Sequence, residues 1–272
     1  MKTAGVHRMG LAEYLAHPAL SSSGAQKLLP PSCPALFRYE QTNPIQATPE
    51  MEFGSVTHEL LLGDGHGFEV LDYPNYRTKD SQEKAKAVRA EGRIPILKHD
   101  LAVAKAMVAV VRAHPIAGKL FSGGESELTL IWDDKEFGFQ RRSRIDKLKV
   151  ARRALIIDYK TANSAAPDKI AKASWDYGYA QQGEYYIDGV TACELGPNPA
   201  FVLVTQMKEP PYLVTVGQYS ETARAIGREL NRRALQIYAQ CTETGVWPSF
   251  ADDIATLSLP GWVEAQWMKD ML

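Results

Sequence analysis

The residues best placed to do chemistry together are Asp146, Asp158 and Lys160. Asp158-Tyr159-Lys160 follows the apolar run Ala154-Leu155-Ile156-Ile157, which reads as a buried strand. Side chains alternate along a strand, so Asp158 and Lys160 share one face and Tyr159 takes the other. Asp146 is expected at the end of the preceding strand, Phe137 to Ile145. The connection through Lys149 to Arg153 can then bring the chain back so that the two acids are neighbours. Two carboxylates at a strand end suit Mg²⁺ or Mn²⁺, which favour oxygen ligands. Such an ion polarises a phosphodiester and lowers the pKa of water. An ammonium beside it can hold the attacking water or stabilise charge developing on phosphate. The chemistry implied is metal-dependent hydrolysis of a phosphodiester. A D-x-K triplet is also a common surface ion pair. The apolar run before Asp158 argues for a use, because a buried strand otherwise avoids charge.

Two further groups fit around that centre. Gly54-Ser55-Val56-Thr57-His58 lies on an expected helix, Phe53 to Leu62, where an imidazole can bind metal or phosphate. Gly54 is costly inside a helix and is read as a mark of close packing. Gln182 and Tyr186 are four residues apart on a second expected helix, about Tyr177 to Thr191, and share its face. Glu127, at the start of the strand Glu127 to Trp132, is a candidate extra acid. The basic residues Arg141, Arg142, Arg144, Lys147, Lys149, Arg152 and Arg153 surround Asp146. Alternation puts Arg142, Arg144 and Asp146 on one strand face, so Arg142 and Arg144 are expected to contact DNA phosphates.

The elements that must position these residues follow from pattern. Ser21 to Leu29 reads as a short helix capped by Ser22 or Ser23 and stopped by Pro30, Pro31 and Pro34. Residues 66–78 read as irregular or extended. Ser81 to His114 reads as helical, broken or bent near Gly92 and Pro95, with Asp100 capping its second half. Three strands follow, then a helix opened by Pro167, the helix carrying Gln182, and a hairpin from Phe201–Gln206 to Tyr212–Val216. Ser220 to Cys241 is a long amphipathic helix capped by Ser220, and a Trp- and Pro-containing tail begins at Trp247. The order predicts an α/β fold with a central mixed β-sheet flanked by helices. One domain is expected over 1–272: a helical N-terminal region (1–120), a catalytic α/β core (121–245) and a C-terminal tail (246–272).

Composition sets limits. A hydrophobic share of 45% in 272 residues supports an ordinary core, and a mean hydropathy of −0.26 reads as soluble. No apolar run is long enough for a membrane span, and Met1 to Gly10 lacks the apolar core of a signal peptide, so a cytoplasmic location is expected. Cys33, Cys193 and Cys241 are too scattered for a zinc site or an iron–sulfur cluster and read as free thiols. A net charge of −1 does not suit a passive high-affinity DNA binder, but it suits an enzyme whose basic surface is local.

Taken in order, these motifs resemble the RecB-like nucleases of the PD-(D/E)xK superfamily, most of all the nuclease of RecE (exonuclease VIII) and its phage relatives. The matching pieces are Gly54 to His58, Arg144-Ile145-Asp146-Lys147, Asp158-Tyr159-Lys160-Thr161 and Gln182 to Tyr186. The serine-rich Ser21 to Gly24 and the segment Cys33 to Tyr39 also resemble that family. The resemblance covers about Ser21 to Gly189 and implies a restriction-endonuclease-like core. It implies His58, Asp146, Asp158 and the Tyr159 carbonyl as metal ligands, Lys160 as the catalytic lysine, and Gln182 and Tyr186 as supports for the site. Ile145 stands where the family often has proline, and the cysteines that some relatives use for a cluster are missing. The expected activity is Mg²⁺- or Mn²⁺-dependent exonuclease action on linear double-stranded DNA, making single strands for annealing-type recombination in a phage or prophage. A single-strand annealing protein and a homo-oligomer are the partners this implies. A repair or defence nuclease of other polarity is an alternative, as is a non-catalytic DNA-binding protein on the same fold.

Overall fold

The computed structural model describes residues 3–43, 47–63, 65 and 67–271. Its first part runs β1 Gly5–His7, α1 Leu11–Ala16, β2 Leu20–Ser21, α2 Ser22–Lys27, α3 Pro34–Thr42, α4 Pro49–Leu62, β3 Phe68–Leu71, α5 Lys79–Ala90, β4 Ile94–Leu97, α6 Lys98–Ala113 and α7 Ala117–Phe121. Its second part runs β5 Glu125–Asp133, β6 Gln140–Val150, β7 Ala154–Ala162, α8 Pro167–Asp176, α9 Tyr179–Ala192, β8 Ala200–Met207, β9 Val214–Gly217, α10 Glu221–Thr244 and α11 Gly261–Asp270.

Local chemistry sets the element ends. Thr48 and Ser220 cap α4 and α10, each accepting from a backbone N–H of the first turn, and Pro49 and Pro167 open their helices. Ser21, rather than Ser22 or Ser23, caps α2: its Oγ accepts from Gly24 N at 3.1 Å. The helical stretch read as broken or bent near Gly92 and Pro95 is broken there, into α5, a strand and α6. Gly92 ends the first helix region at φ 76°, and the buried Ile94–Leu97 pairs in parallel with Phe68–Leu71, the extended part of the stretch 66–78. Pro95, which has no N–H to donate, sits in this small two-stranded sheet. Asp100 lies in the first turn of α6, and its side chain makes no cap bond.

The main sheet has the order β1-β5-β6-β7-β8-β9. One face carries Leu128, Leu130, Ile145, Ile156 and Leu203 against Ala25, Leu28, Tyr185, Val190, Ala234 and Leu235 of α2, α9 and α10. The other carries Ile157, Tyr159, Val202 and Val204 against Leu61, Val108 and Val111 of α4 and α6. The sheet is thus covered by helices on both faces, which is why β7 and β8 read as continuous apolar runs. Tyr159 reaches Gln206 within the second layer, Oη donating to Oε1 at 2.5 Å. The tail helix α11 has no buried residue.

The feature that shapes the molecule is a fork between β6 and β7. They pair only from Lys147↔Ile157 to Val150↔Ala154. One step further, the same register would set Asp146 directly against Asp158. Like charges in directly opposed positions disfavour pairing, and there the strands part. β7 stays with β8 as far as Ala162, while the freed edge of β6 takes up β2 in parallel, Leu20↔Arg141 and Ser21↔Arg142. Asp146 therefore lies inside β6, not at its end: the strand runs on to Val150 rather than stopping at Ile145, and the connection falls within the expected 149–153.

Arg142 departs from its expected role. Its guanidinium is buried and donates to the carbonyls of His17 and Ala19, with the Tyr14 ring 4.9 Å away. It fastens the segment before β2 to the sheet and has no face left for phosphate. Arg142→Leu is expected to lower unfolding free energy by roughly 2–4 kcal/mol, since two buried carbonyls lose a charged donor. An unchanged urea midpoint would contradict this assignment.

Candidate active site

At the fork, three neighbouring strands each present one carboxylate in a row. Ser126↔Lys147 and Leu128↔Ile145 place Glu127 of β5 opposite Asp146 of β6, and Asp146 stands across the fork from Asp158 of β7. Glu127 leaves the regular strand conformation, with φ 52°, and its side chain lies on the Asp146 side of the sheet.

Each carboxylate is held by groups of opposite character. His58, from α4, sits between two of them, with Nδ1 3.0 Å from Glu127 Oε1 and Nε2 2.9 Å from Asp146 Oδ2. The Tyr159 N–H, left unpaired by the fork, donates to Asp146 Oδ2 at 2.8 Å. Arg144 Nε donates to Glu127 Oε2, and its Nη1 donates to the Met9 carbonyl. Lys160 Nζ lies 2.7 Å from Asp158 Oδ2, confirming that residues 158 and 160 share a face. Gln182 Nε2 reaches Asp158 Oδ1 at 3.1 Å and Tyr186 Oη at 2.8 Å, one helical turn along α9.

Electrostatics follow from this packing. Burial opposes charge on His58, but Asp146 and Glu127 outweigh it and push its pKa up to about 10. Burial would raise Asp146, yet His58, Lys160 and the Tyr159 N–H hold it below the usual carboxylate range. Asp158 is fully buried, and burial together with Asp146 pushes it up to about 6 against the pull of Lys160. Lys160 is raised despite burial because it faces both Asp158 and Asp146. The site is a compensated cluster in which carboxylates and cations alternate.

These residues line a cavity of about 590 Å³ together with Tyr177, Tyr179 and Gln26. Among the sequence candidates, His58, Glu127, Arg144, Asp146, Lys160, Gln182 and Tyr186 converge here, with Asp158 beneath and Arg142 excluded. Gly54 also lines the cavity, but a Cβ there would lie 3.5 Å from Thr161 Oγ1, so close packing does not require the glycine. Sequence reasoning missed the two tyrosines and Gln26. The Tyr177-Gly178-Tyr179 spelling, with a glycine in the first turn of the expected helix, was the available signal.

Among the described residues, His58, Glu127 and Asp146 form a group able to hold a metal ion, their ligand atoms all within 4.8 Å of one another. One imidazole with hard carboxylates is compatible with Mg²⁺ or Mn²⁺. Without metal, the His58 proton neutralises the row. A group whose folded pKa exceeds its unfolded value of about 6.5 stabilises fully below that value and loses the effect as pH rises toward 10. In EDTA, His58→Ala should therefore cost a few kcal/mol near pH 6.5, and the gap to the parent should shrink as pH rises from 7 to 10. A gap in thermal denaturation that is constant across that range would refute the charge assignment.

Comparison with known proteins agrees with the fold. The family model of the PDDEXK-like domain of unknown function (DUF3799) matches residues 21–260. The chain is similar in structure to a candidate exonuclease of Eubacterium rectale, with a TM-score of 0.60 at 12% identity, over 90% of this chain and 92% of that one. No curated protein matches the sequence. The family match reaches well past Gly189, where the motif resemblance stops, and it identifies the superfamily rather than the exonuclease VIII branch. By that match the chain belongs to the PDDEXK-like family DUF3799.

Proposed function

We propose that the protein is a divalent-metal-dependent deoxyribonuclease that hydrolyses phosphodiester bonds. The observation that carries this reading is the row Glu127, Asp146 and Asp158 across three strands, with His58 between the first two and Lys160 on Asp158. His58, Glu127 and Asp146 would hold the cation, and the family resemblance adds Asp158 and the Tyr159 carbonyl. When bound, the cation supplies a Lewis acid for the phosphodiester and a lower pKa for water.

The remaining work falls to the chain's own residues. Lys160 sets an ammonium at the cavity wall, where it can neutralise charge that builds on the phosphate in the transition state. Asp158 positions that ammonium at 2.7 Å, and Gln182, tied to Tyr186, positions Asp158. Arg144 fixes Glu127 and lines the cavity, so it remains the phosphate contact that the basic strand offers. The finer reading is an exonuclease on linear duplex that prepares single strands for annealing, assembled as a homo-oligomer and acting with an annealing protein. It rests on the motif resemblance and on the exonuclease description of the structural neighbour. Degradation of 5′- and 3′-labelled linear duplex, set against circular DNA and EDTA, tests activity, end dependence and polarity together. Intact circles alongside degraded ends support the exonuclease. No cleavage under any metal condition refutes the enzyme.

Lys160→Ala is expected to lower single-turnover cleavage by roughly 10²-fold or more, the scale of a lost electrostatic stabiliser. Mn²⁺ affinity by calorimetry should hold or tighten, because a competing cation is gone. Lys160→Arg should not restore the rate, since a planar guanidinium does not replace an ammonium. Loss of metal binding along with activity would make Lys160 structural.

Mg²⁺ or Mn²⁺ should support cleavage and Ca²⁺ should not. Ca²⁺ takes more ligands at longer distances than this compact donor set provides. Efficient turnover in Ca²⁺ alone would contradict the site.

A further inference from the structure

The cavity at the carboxylate row has a neighbour. Lys160, Thr161, Tyr177 and Tyr179 also line a second cavity of about 460 Å³, which adjoins the first at Lys160. Lys169, Lys172 and Lys208 line this second cavity, with Asp176 the only acid among its lining residues. Lys172 pairs with Asp176 and Lys169 lies near Asp168, but both lysines are largely exposed and can turn to another anion. The lining suits a phosphate backbone.

At the junction stands a fixed aromatic pair. The Tyr177 and Tyr179 rings are stacked, with centroids 5.7 Å apart and planes at 28°. Tyr177 is 65% exposed, so much of its ring is open to a ligand. The turn that carries the pair is rigid. Gly178 has φ +66°, a side chain there would collide with Gln26, and Gln26 Nε2 donates to the Gly178 carbonyl at 2.9 Å. Lys160 Nζ lies 5.3 Å from the Tyr179 ring, which ties the aromatic pair to the catalytic centre.

We propose that the Tyr177-Gly178-Tyr179 turn is a stacking platform for the bases of an unpaired DNA strand that runs from the catalytic cavity into the adjoining lysine-lined cavity. This rests on the nuclease reading above and names the form of substrate held at the site. A base offers its face to an aromatic ring only when it has left the duplex stack, whereas lysines track the backbone of either form. The combination of an exposed ring pair with a basic groove therefore selects the unpaired strand.

The test is fluorescence anisotropy in Ca²⁺ with three probes: a labelled oligothymidylate, a strand of equal length with abasic spacers, and a blunt duplex. Tyr177→Ala is expected to weaken oligothymidylate binding by roughly 5- to 100-fold, the range for loss of base–aromatic stacking. The abasic strand should bind the parent more weakly and lose little more on substitution, and Tyr177→Phe should bind oligothymidylate like the parent. An equal penalty on thymidine and abasic strands, an equal penalty on duplex, or no penalty on oligothymidylate would each overturn the platform. Cleavage by the parent with Mn²⁺, measured alongside, separates the two readings. A parent that cleaves while Tyr177→Ala shows no base-dependent loss refutes the platform alone. A parent that never cleaves refutes the nuclease, while the binding comparison still reads the platform.

Discussion

Everything in this protein is arranged around mutual repulsion among Glu127, Asp146 and Asp158. Three adjacent strands bring these acids into one row, which a regular sheet would not tolerate without compensation. The fold answers in two ways. The backbone yields, with β6 and β7 parting and Glu127 turning into an unusual conformation. Cations also converge from separate parts of the chain: His58 from α4, Arg144 from β6 and Lys160 from β7. Once the strands have parted, their freed edges and N–H groups become resources. One N–H binds Asp146, and one edge accepts β2 and so brings α2 to the cavity.

A compensated cluster of this kind is stable but already polarised. Asp146 is held ionised and Asp158 is pushed toward neutrality, so two carboxylates of the same row have different proton affinities. Divergent environments for paired acids are a common mark of a site with work to do. The divergence has a simple origin here: Asp146 receives an imidazole and an amide N–H, whereas Asp158 lies deeper and shares its lysine.

Much of this was legible in the residue order, because β7 is a local signal. Its apolar run, and the alternation that aligns Asp158 with Lys160, need no tertiary information. The one-turn spacing of Gln182 and Tyr186 is similarly local. Arg142 and Arg144 show where such reasoning stops. Alternation correctly marks them as near neighbours of Asp146, but what each guanidinium meets depends on segments more than a hundred residues away, His17 and Ala19 for one and Met9 for the other. Glu127 meets the site through its register opposite Asp146 and through His58 and Arg144, which strand pattern alone does not reveal. The small parallel sheet of β3 and β4 was hidden for a related reason, since each strand is short and finds its partner only after a helix has intervened. The same limit explains the tyrosine pair: a glycine between two helices reads as punctuation until Gln26 is seen to grip it.

The attachment of β2 to β6 also bears on the order in which the molecule is made. Leu20 and Arg141 are neighbours in the sheet, and His17 meets Arg142 across 125 positions of chain. Contacts that close so large a loop form late, because the entropy of closure is lost before the contact repays it. The strands β5 to β7 are joined by short connections and can associate early, bringing the acids together before the N-terminal segment docks. During synthesis that segment emerges first and must wait for its strand. The cavity wall that this segment supplies, with Leu11, Tyr14, Ser22, Ser23 and Gln26, is thus among the last parts to be completed.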